Sequence, residues 1–292
     1  MSKWTGKSRG GVIGYSFFVY TIKWFGVSAA YTLLGIVYPF YYWFEKDKKA
    51  NLVNFYKTVG LDSKTTKKVI KKNFKLLGQC LIDRIAFLIG KDKYYTFSMD
   101  GEQNLLDISK TGKGGLLLSA HLGNWEIAGN LLKKRGINAN INILMLDAEH
   151  KQIKKFLAHQ TNGDLFKVIP ITDDFSYLVK LKEAISKNEL ICLHGDRYLD
   201  GSKTIEKEFF GRKTNFGSGP FEIGARLNVP VCIVFAMKTS KRHYALSASK
   251  IIDNSSVQEI SDLYISTLES LVKEYPEQWF NYYDYFEKDT SS

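Results

Sequence analysis

An α/β fold, with a mixed, mostly parallel sheet flanked by helices, is the class that the sequence predicts. Three observations carry it. After about residue 92, short apolar runs alternate with amphipathic helical stretches, the pattern of a largely buried sheet. The chain has 292 residues, 45% hydrophobic and 24% charged, a composition that sustains a large core and excludes a wholly disordered chain. A 21-residue stretch without a charge, 24–44, stands ahead of that alternation as a helical segment of its own. The expected division is an N-terminal anchor over 1–46 and one globular domain over 47–292.

The elements follow in chain order. Residues 24–44 are long enough to span the ~30 Å of a bilayer core. Lys3, Lys7, Arg9 and Lys23 flank one side, and Lys46, Lys48 and Lys49 the other. Trp24, Tyr38, Tyr41, Tyr42 and Trp43 cluster toward the ends, where amphipathic rings favour the headgroup zone. A cleavable signal peptide fits poorly, because the segment is too long and no small-x-small site follows it. Gly35 and Pro39 weaken a straight spanning helix, so a tilted or re-entrant anchor stays open. A buried helical hairpin of a soluble protein is the competing reading. Residues 51–92 are helical. Within them Asp62 and Ser63 can cap a helix starting near Lys64. Lys64, Lys67, Lys68, Lys71, Lys72 and Lys75 then fall on one stripe, with Val69, Ile70, Leu76, Leu77 and Cys80 opposite. Beyond them, strands are expected at 115–120, 141–146, 166–169, 190–193 and 231–236. Helices are expected at 126–134, 150–159, 177–187, 219–227 and 257–275.

Charge narrows the partners. The chain carries 41 basic and 30 acidic residues, and its first 113 residues hold 19 of the former and 8 of the latter. The whole excess therefore sits beside the apolar segment. Such asymmetry suits nucleic acid, an acidic protein or a membrane surface. The apolar segment decides for the membrane, and no nucleic-acid partner is expected. The lysine stripe is either a solvated face or a contact for anionic lipid or an acidic carrier protein. Cys80, Cys192 and Cys232 are too scattered for a disulfide framework or a zinc ribbon.

The chemistry concentrates in Ser119-Ala120-His121-Leu122-Gly123-Asn124-Trp125-Glu126. A buried strand ends, a histidine follows, and a carboxylate comes five residues later in the first turn of a helix. Sites of open α/β sheets lie beyond the carboxyl ends of strands. Glu126 can fold back to the imidazole, fix its tautomer and stabilise the imidazolium that forms when the other nitrogen takes a proton. Gly123 allows the turn between them. Asn124 is a candidate N-cap, and the free N–H groups of that helix end could stabilise an oxyanion. No nucleophile elbow, metal-binding His-Glu-x-x-His or P-loop is present. A His–Glu pair without a protein nucleophile suits direct transfer, in which the base activates a substrate hydroxyl for attack on an acyl donor. No metal and no bound cofactor is expected.

These features together resemble the lipid A late acyltransferase family, a branch of the glycerolipid acyltransferase-like superfamily. Gly123-Asn124-Trp125-Glu126 after the histidine is similar to its first block. Leu193-His194-Gly195-Asp196-Arg197 resembles the second, a strand ending in an aspartate. Phe209-Phe210-Gly211 with Gly217-Ser218-Gly219-Pro220 resembles the third, and Asn228-Val229-Pro230-Val231 a proline-led strand. Tyr275-Pro276-Glu277-Gln278-Trp279 resembles the C-terminal block. The likeness covers nearly the whole chain. It implies an enzyme of the bacterial inner membrane, its catalytic domain cytoplasmic, that moves a fatty acyl group from acyl carrier protein to a lipid hydroxyl. The acyl carrier thioester is then a co-substrate, and acyl carrier protein and membrane lipids are the partners. His121 would be the general base and Glu126 its partner. Asn124, Asp196, Arg197, Arg212 and Lys213 would bind substrate, with Arg197 gripping a phosphate by two parallel bonds. His194 reads as a strand-end core histidine that could reach the edge of the cleft.

Two departures bear on the acceptor. The strand after the catalytic helix ends in Met145-Leu146-Asp147, where lipid A enzymes often carry an arginine. The C-terminal block continues Phe280-Asn281-Tyr282-Tyr283-Asp284-Tyr285-Phe286, where they commonly show Trp-x-His-Arg-Arg. Both remove cations that would face a phosphorylated acceptor, and point toward branches associated with aryl polyene or flexirubin-type lipids. The rival classes are a membrane-attached esterase using water and a non-catalytic lipid-binding protein on the same fold.

Overall fold

A computed structural model describes residues 12–124, 127, 140–146, 167–172, 174, 176–199 and 201–286. The expected helices at 126–134, apart from Ile127, and at 150–159, with Trp125, Glu126 and Asp147, lie outside the described residues. The N-terminal part is α1 (Val12–Phe44), α2 (Lys46–Thr58) and α3 (Ser63–Leu88). The main sheet is built from β1 (Thr96–Asp100), β2 (Gly115–Ser119), β3 (Ile141–Leu146), β4 (Lys167–Ile171), β5 (Leu190–His194), β8 (Val231–Ser240) and β9 (His243–Ala248). A separate hairpin is formed by β6 (Thr204–Phe209) and β7 (Arg212–Gly217). The remaining described helices are α4 (Glu102–Lys110), α5 (Tyr177–Ser186), α6 (Gly219–Leu227) and α7 (Val257–Glu274).

The strand order is β1-β9-β8-β2-β5-β3-β4, and every pair is parallel except β8 with β9. The α/β class read from the sequence is therefore observed. β2 is buried at all five positions, as a central parallel strand covered on both faces must be. Pro170 falls inside β4 rather than after it. β4 ends the sheet and pairs only with β3, so a residue with no N–H to donate is tolerated there. The strand expected to stop at 236 runs on to Ser240, because β9 returns antiparallel beside it. The strands β1, β9, β6 and β7 were not foreseen. β9 and β6 mix polar and apolar residues and lack the continuous apolar run of the interior strands.

α3 begins as expected: the Asp62 carboxylate accepts from the N–H groups of Lys64 and Thr65 at 2.8 and 3.0 Å. All six stripe lysines are exposed, while Ile70, Leu76 and Cys80 are buried on the other side. α1 is long and apolar enough to cross a membrane, but it is not a free appendage. It bends at Gly26, whose φ of 82° lies in the left-handed region that favours glycine, rather than at Pro39. One face buries Ile22, Ala30 and Leu34 against Ile82, Ile85 and Ala86 of α3. Trp24, Phe25, Trp43 and Phe44 are between 73% and 79% exposed on the other, far more large apolar surface than a helix facing water would leave open.

A buried ion pair fastens α1, α3 and the sheet together. Lys238 Nζ on β8 lies 2.6 Å from Asp83 on α3, with both side chains inaccessible. Tyr31 of α1 donates to the same carboxylate at 2.5 Å, Tyr95 at 2.7 Å, and Tyr244 also donates to it. Lys238 further donates to the Lys241 carbonyl at 2.9 Å. A buried pair is tolerated only when its remaining hydrogen bonds are made, and these are. Lys238→Met should leave the Asp83 charge uncompensated and cost about 3–5 kcal/mol, read as a lowered denaturant midpoint. Tyr31→Phe, which removes one donor of four, should cost only about 1 kcal/mol in the same assay.

Candidate active site

Parallel register explains why the site forms where it does. In the β2–β5 pair, Ser119 lies opposite His194. The chain then leaves each strand at the same end of the sheet, so His121 and Asp196, each two residues further on, emerge side by side. Gly195 N–H donates to the Ser119 carbonyl at 3.0 Å and carries the pairing one step past the strands. The turn after His121 depends on Gly123, at φ 72°, where an added Cβ would meet the Ala236 carbonyl oxygen at 2.3 Å. The loop is then pinned from both sides. Asn124 N–H donates to Ala236, Gly123 N–H to Gln278, and Phe280 N–H to the His121 carbonyl, at 2.8, 3.1 and 2.8 Å.

The imidazole of His121 faces the carboxylate of Asp196. Its Nδ1 lies 3.0 Å from Oδ1 and 3.2 Å from Oδ2, and the His121 backbone N–H donates to Oδ2 at 3.1 Å. An ionised carboxylate only accepts, so Nδ1 carries the proton and Nε2 presents a lone pair. Asp196 is held in turn. Asn281 Nδ2 donates to its Oδ2 at 2.8 Å, and the Tyr283 and Tyr285 hydroxyls donate to its carbonyl at 3.2 and 3.1 Å. The Asp196 side chain is wholly buried, whereas 24% of the His121 side chain stays open, which leaves a path to the imidazole.

The electrostatics fit a base that rests neutral. Burial pushes the Asp196 carboxyl upward, but the adjoining His121 imidazole that donates to it and the Arg197 guanidinium outweigh burial and hold it well below the usual carboxylate range. Burial lowers the affinity of His121 for a second proton and Arg197 lowers it further, with Asp196 opposing both. The net direction is downward, so the imidazole is a free base at neutral pH.

The other residues singled out from the sequence are placed as follows. Asn124 is buried and its side-chain amide donates to the Cys80 carbonyl and the Tyr244 hydroxyl, both at 3.2 Å. Arg197 stands next to Asp196 and directs Nε to Asn281 Oδ1 at 2.6 Å and Nη2 to the Phe280 carbonyl at 3.0 Å. One edge of the guanidinium thus holds the C-terminal segment. Arg212 and Lys213 stand on β7, Arg212 over the Phe286 ring at 5.7 Å and Lys213 paired with Glu206 at 3.1 Å. The carboxylate that the described structure brings to His121 is that of Asp196, 75 positions along the chain. His194 joins from the end of β5, with Nδ1 3.3 Å from Nε2 of His121. His121, His194 and Asp196 are the group among the described residues whose ligand atoms lie close enough together to hold a metal ion. Their hydrogen bonds make the same three residues a chain of donors and acceptors. Sequence reasoning set Asp196 in a cleft wall and His194 at a strand end, in the core or reaching the edge of the cleft. The usable signal was the shared register of two parallel strands, each followed two residues later by a polar side chain.

The chain matches the model of the bacterial lipid A biosynthesis acyltransferase family over residues 12–286. It belongs to that family. A search of curated proteins returned no significant match. The match spans α1, the whole sheet and the C-terminal segment that holds Asp196, so the enzyme is an acyltransferase of lipid A-type biosynthesis whose family likeness includes the site just described.

Asp196→Asn keeps the shape of the side chain and removes its charge. It should lower the transfer rate at least about 100-fold without loss of fold, measured as single-turnover rate beside far-UV circular dichroism. The pH dependence follows from the direction of the His121 shift. A base that resists protonation stays active as pH falls, so the acid limb of kcat/KM should lie below the ordinary histidine value of about 6.5. An acid limb above that value would contradict the burial argument.

Proposed function

We propose that the protein is a membrane-bound O-acyltransferase that moves a fatty acyl chain from an acyl carrier protein thioester to a lipid hydroxyl, on the cytoplasmic side of a bacterial inner membrane. The observation that carries the chemistry is the buried Asp196 carboxylate on Nδ1 of a partly open His121. Nε2 of His121 takes the proton of the acceptor hydroxyl. The oxygen attacks the thioester carbonyl, and the imidazolium is stabilised by Asp196. Collapse of the tetrahedral adduct breaks the C–S bond, and the departing thiolate recovers the proton from Nε2. No protein nucleophile takes part.

Glu126 has the spacing for the partner role that is proposed for Asp196. One Nδ1–H serves one carboxylate at a time, so the two assignments predict different damaging variants. In the Asp196 reading, Glu126→Gln retains more activity than Asp196→Asn. Asn124, Arg197, Arg212 and Lys213 are proposed to bind substrate from the wall and rim of the site.

Membrane attachment is supported by the exposed aromatic face of α1. The lysine stripe of α3 leads to a recess of about 470 Å³ between α1, α3 and β8 that includes Lys72, Lys75 and Lys241. That placement favours anionic lipid or an acidic carrier. The acceptor is proposed to lack the phosphates of lipid A, as an aryl polyene or related lipid does. The observation favouring this is that Asn281, Tyr283 and Tyr285, in the segment where cations would stand, support Asp196 instead.

The deciding assay gives purified full-length protein an acyl carrier thioester with and without candidate acceptor lipids. Acyl transfer that requires the acceptor, lost about 100-fold or more in His121→Ala, is the expected result. Thioester loss that ignores the acceptor would identify an esterase. Retained cellular function in His121→Ala would identify a lipid-binding protein. Charge reversal at Lys64, Lys67, Lys68 and Lys71 should raise the KM for the carrier or loosen membrane attachment, and either effect should shrink at high salt.

A further inference from the structure

The base has a second imidazole on its reacting nitrogen. His194 stands at the end of β5, and its ring meets that of His121 at 73° with centroids 4.3 Å apart. The contact is specific in its atoms: Nδ1 of His194 to Nε2 of His121, at 3.3 Å. Hydrogen-bond accounting then fixes both tautomers. Asp196 accepts the hydrogen bond from Nδ1–H of His121, so Nε2 is an acceptor, and Nδ1 of His194 must be the donor. The register that pairs Ser119 with His194 makes this contact a property of the sheet rather than of a loop.

We propose that His194 is a positioning residue for the base: its Nδ1–H donates to Nε2 of His121, clamping that ring between a carboxylate and a second imidazole until an acceptor hydroxyl displaces the bond. This rests on the reading of His121 as the general base. The clamp orients the lone pair along the path by which a hydroxyl proton arrives. It also favours the unprotonated ring, because a donor on Nε2 competes with a proton there. The neighbours leave His194 uncharged in this role, since burial and the adjoining His121 lower its proton affinity strongly. The charged and titratable groups facing the pair are Asp196 and Arg197 beyond β5, Arg84 of α3, and the Tyr264 hydroxyl of α7 beneath the strand ends.

The experiment compares His194→Phe and His194→Asn in the full-length enzyme. Phenylalanine keeps the ring and loses the donor, whereas the Asn amide can place a donor where Nδ1 stands. His194→Phe should lower kcat about tenfold with little change in acceptor KM, and should move the acid limb of kcat/KM to higher pH. His194→Asn should recover most of both effects. A phenylalanine variant with the parental kcat and acid limb would overturn the proposal. Histidine-selective ¹⁵N spectra of the unaltered protein give a readout that needs neither turnover nor a stable variant. They should show a protonated Nδ1 on His194 and an unprotonated Nε2 on His121 near neutral pH. A His194 protonated at Nε2 instead would overturn the clamp. Full activity in His121→Ala would remove the general base itself, while the spectra would still decide the contact between the rings.

Discussion

A buried carboxylate held against one imidazole is the interaction on which the site depends. Burying a charge is costly unless hydrogen bonds and opposite charges replace water. Asp196 obtains that replacement from the backbone and ring of His121, from the charge of the adjoining Arg197, and from a C-terminal segment more than eighty residues away. The cost of burial is therefore met by closing the chain onto itself. Segment 275–286 serves as the back wall of the site. Trp279 stacks on Phe55 of α2 at 5.2 Å, and the Gln278 amide makes two hydrogen bonds to the backbone of Lys238. The same segment delivers Asn281 to Asp196.

The polar core beneath the site connects with the apolar N-terminal helix. Asn124 follows His121 by three residues and donates to Tyr244, which donates to Asp83. Asp83 also receives Tyr31 from α1 and Lys238 from the sheet. The helix that exposes aromatic surface and the loop that carries His121 thus share one hydrogen-bonded cluster. A helix packed this way completes the core of the domain while leaving one aromatic face uncovered, which a loose tether would not do.

Much of the fold was legible in the sequence because the interior strands are continuous apolar runs. Ile141–Leu146 and Gly219–Leu227 have the bounds that periodicity and turn residues indicated. The flank formed by β1 and β9 was harder. β1 and β9 carry mixed polarity, since partnership with a neighbouring strand rather than burial on both faces specifies them. At the site, His121 stood out because a buried strand ended beside it. Its partner was sought nearby in sequence, at Glu126, which lies outside the described residues. Asp196 came to the imidazole through strand register, a long-range property that no local spacing encodes. His194 was hidden for the same reason: a histidine ending an apolar strand looks like core until the neighbouring strand is known. Tyr283 and Tyr285 showed only that cations were missing from the C-terminal block, not what hydroxyls do in their place.

The central claim, that Asp196 acts through His121, is tested most directly by a double-mutant cycle on the single-turnover rate. The cycle joins the native enzyme, His121→Ala, Asp196→Asn and the combination. If the two residues act as one unit, removing the Asp196 charge costs almost nothing once His121 is gone, and the combined loss matches that of His121→Ala alone. Losses that multiply would show two independent roles and contradict the account.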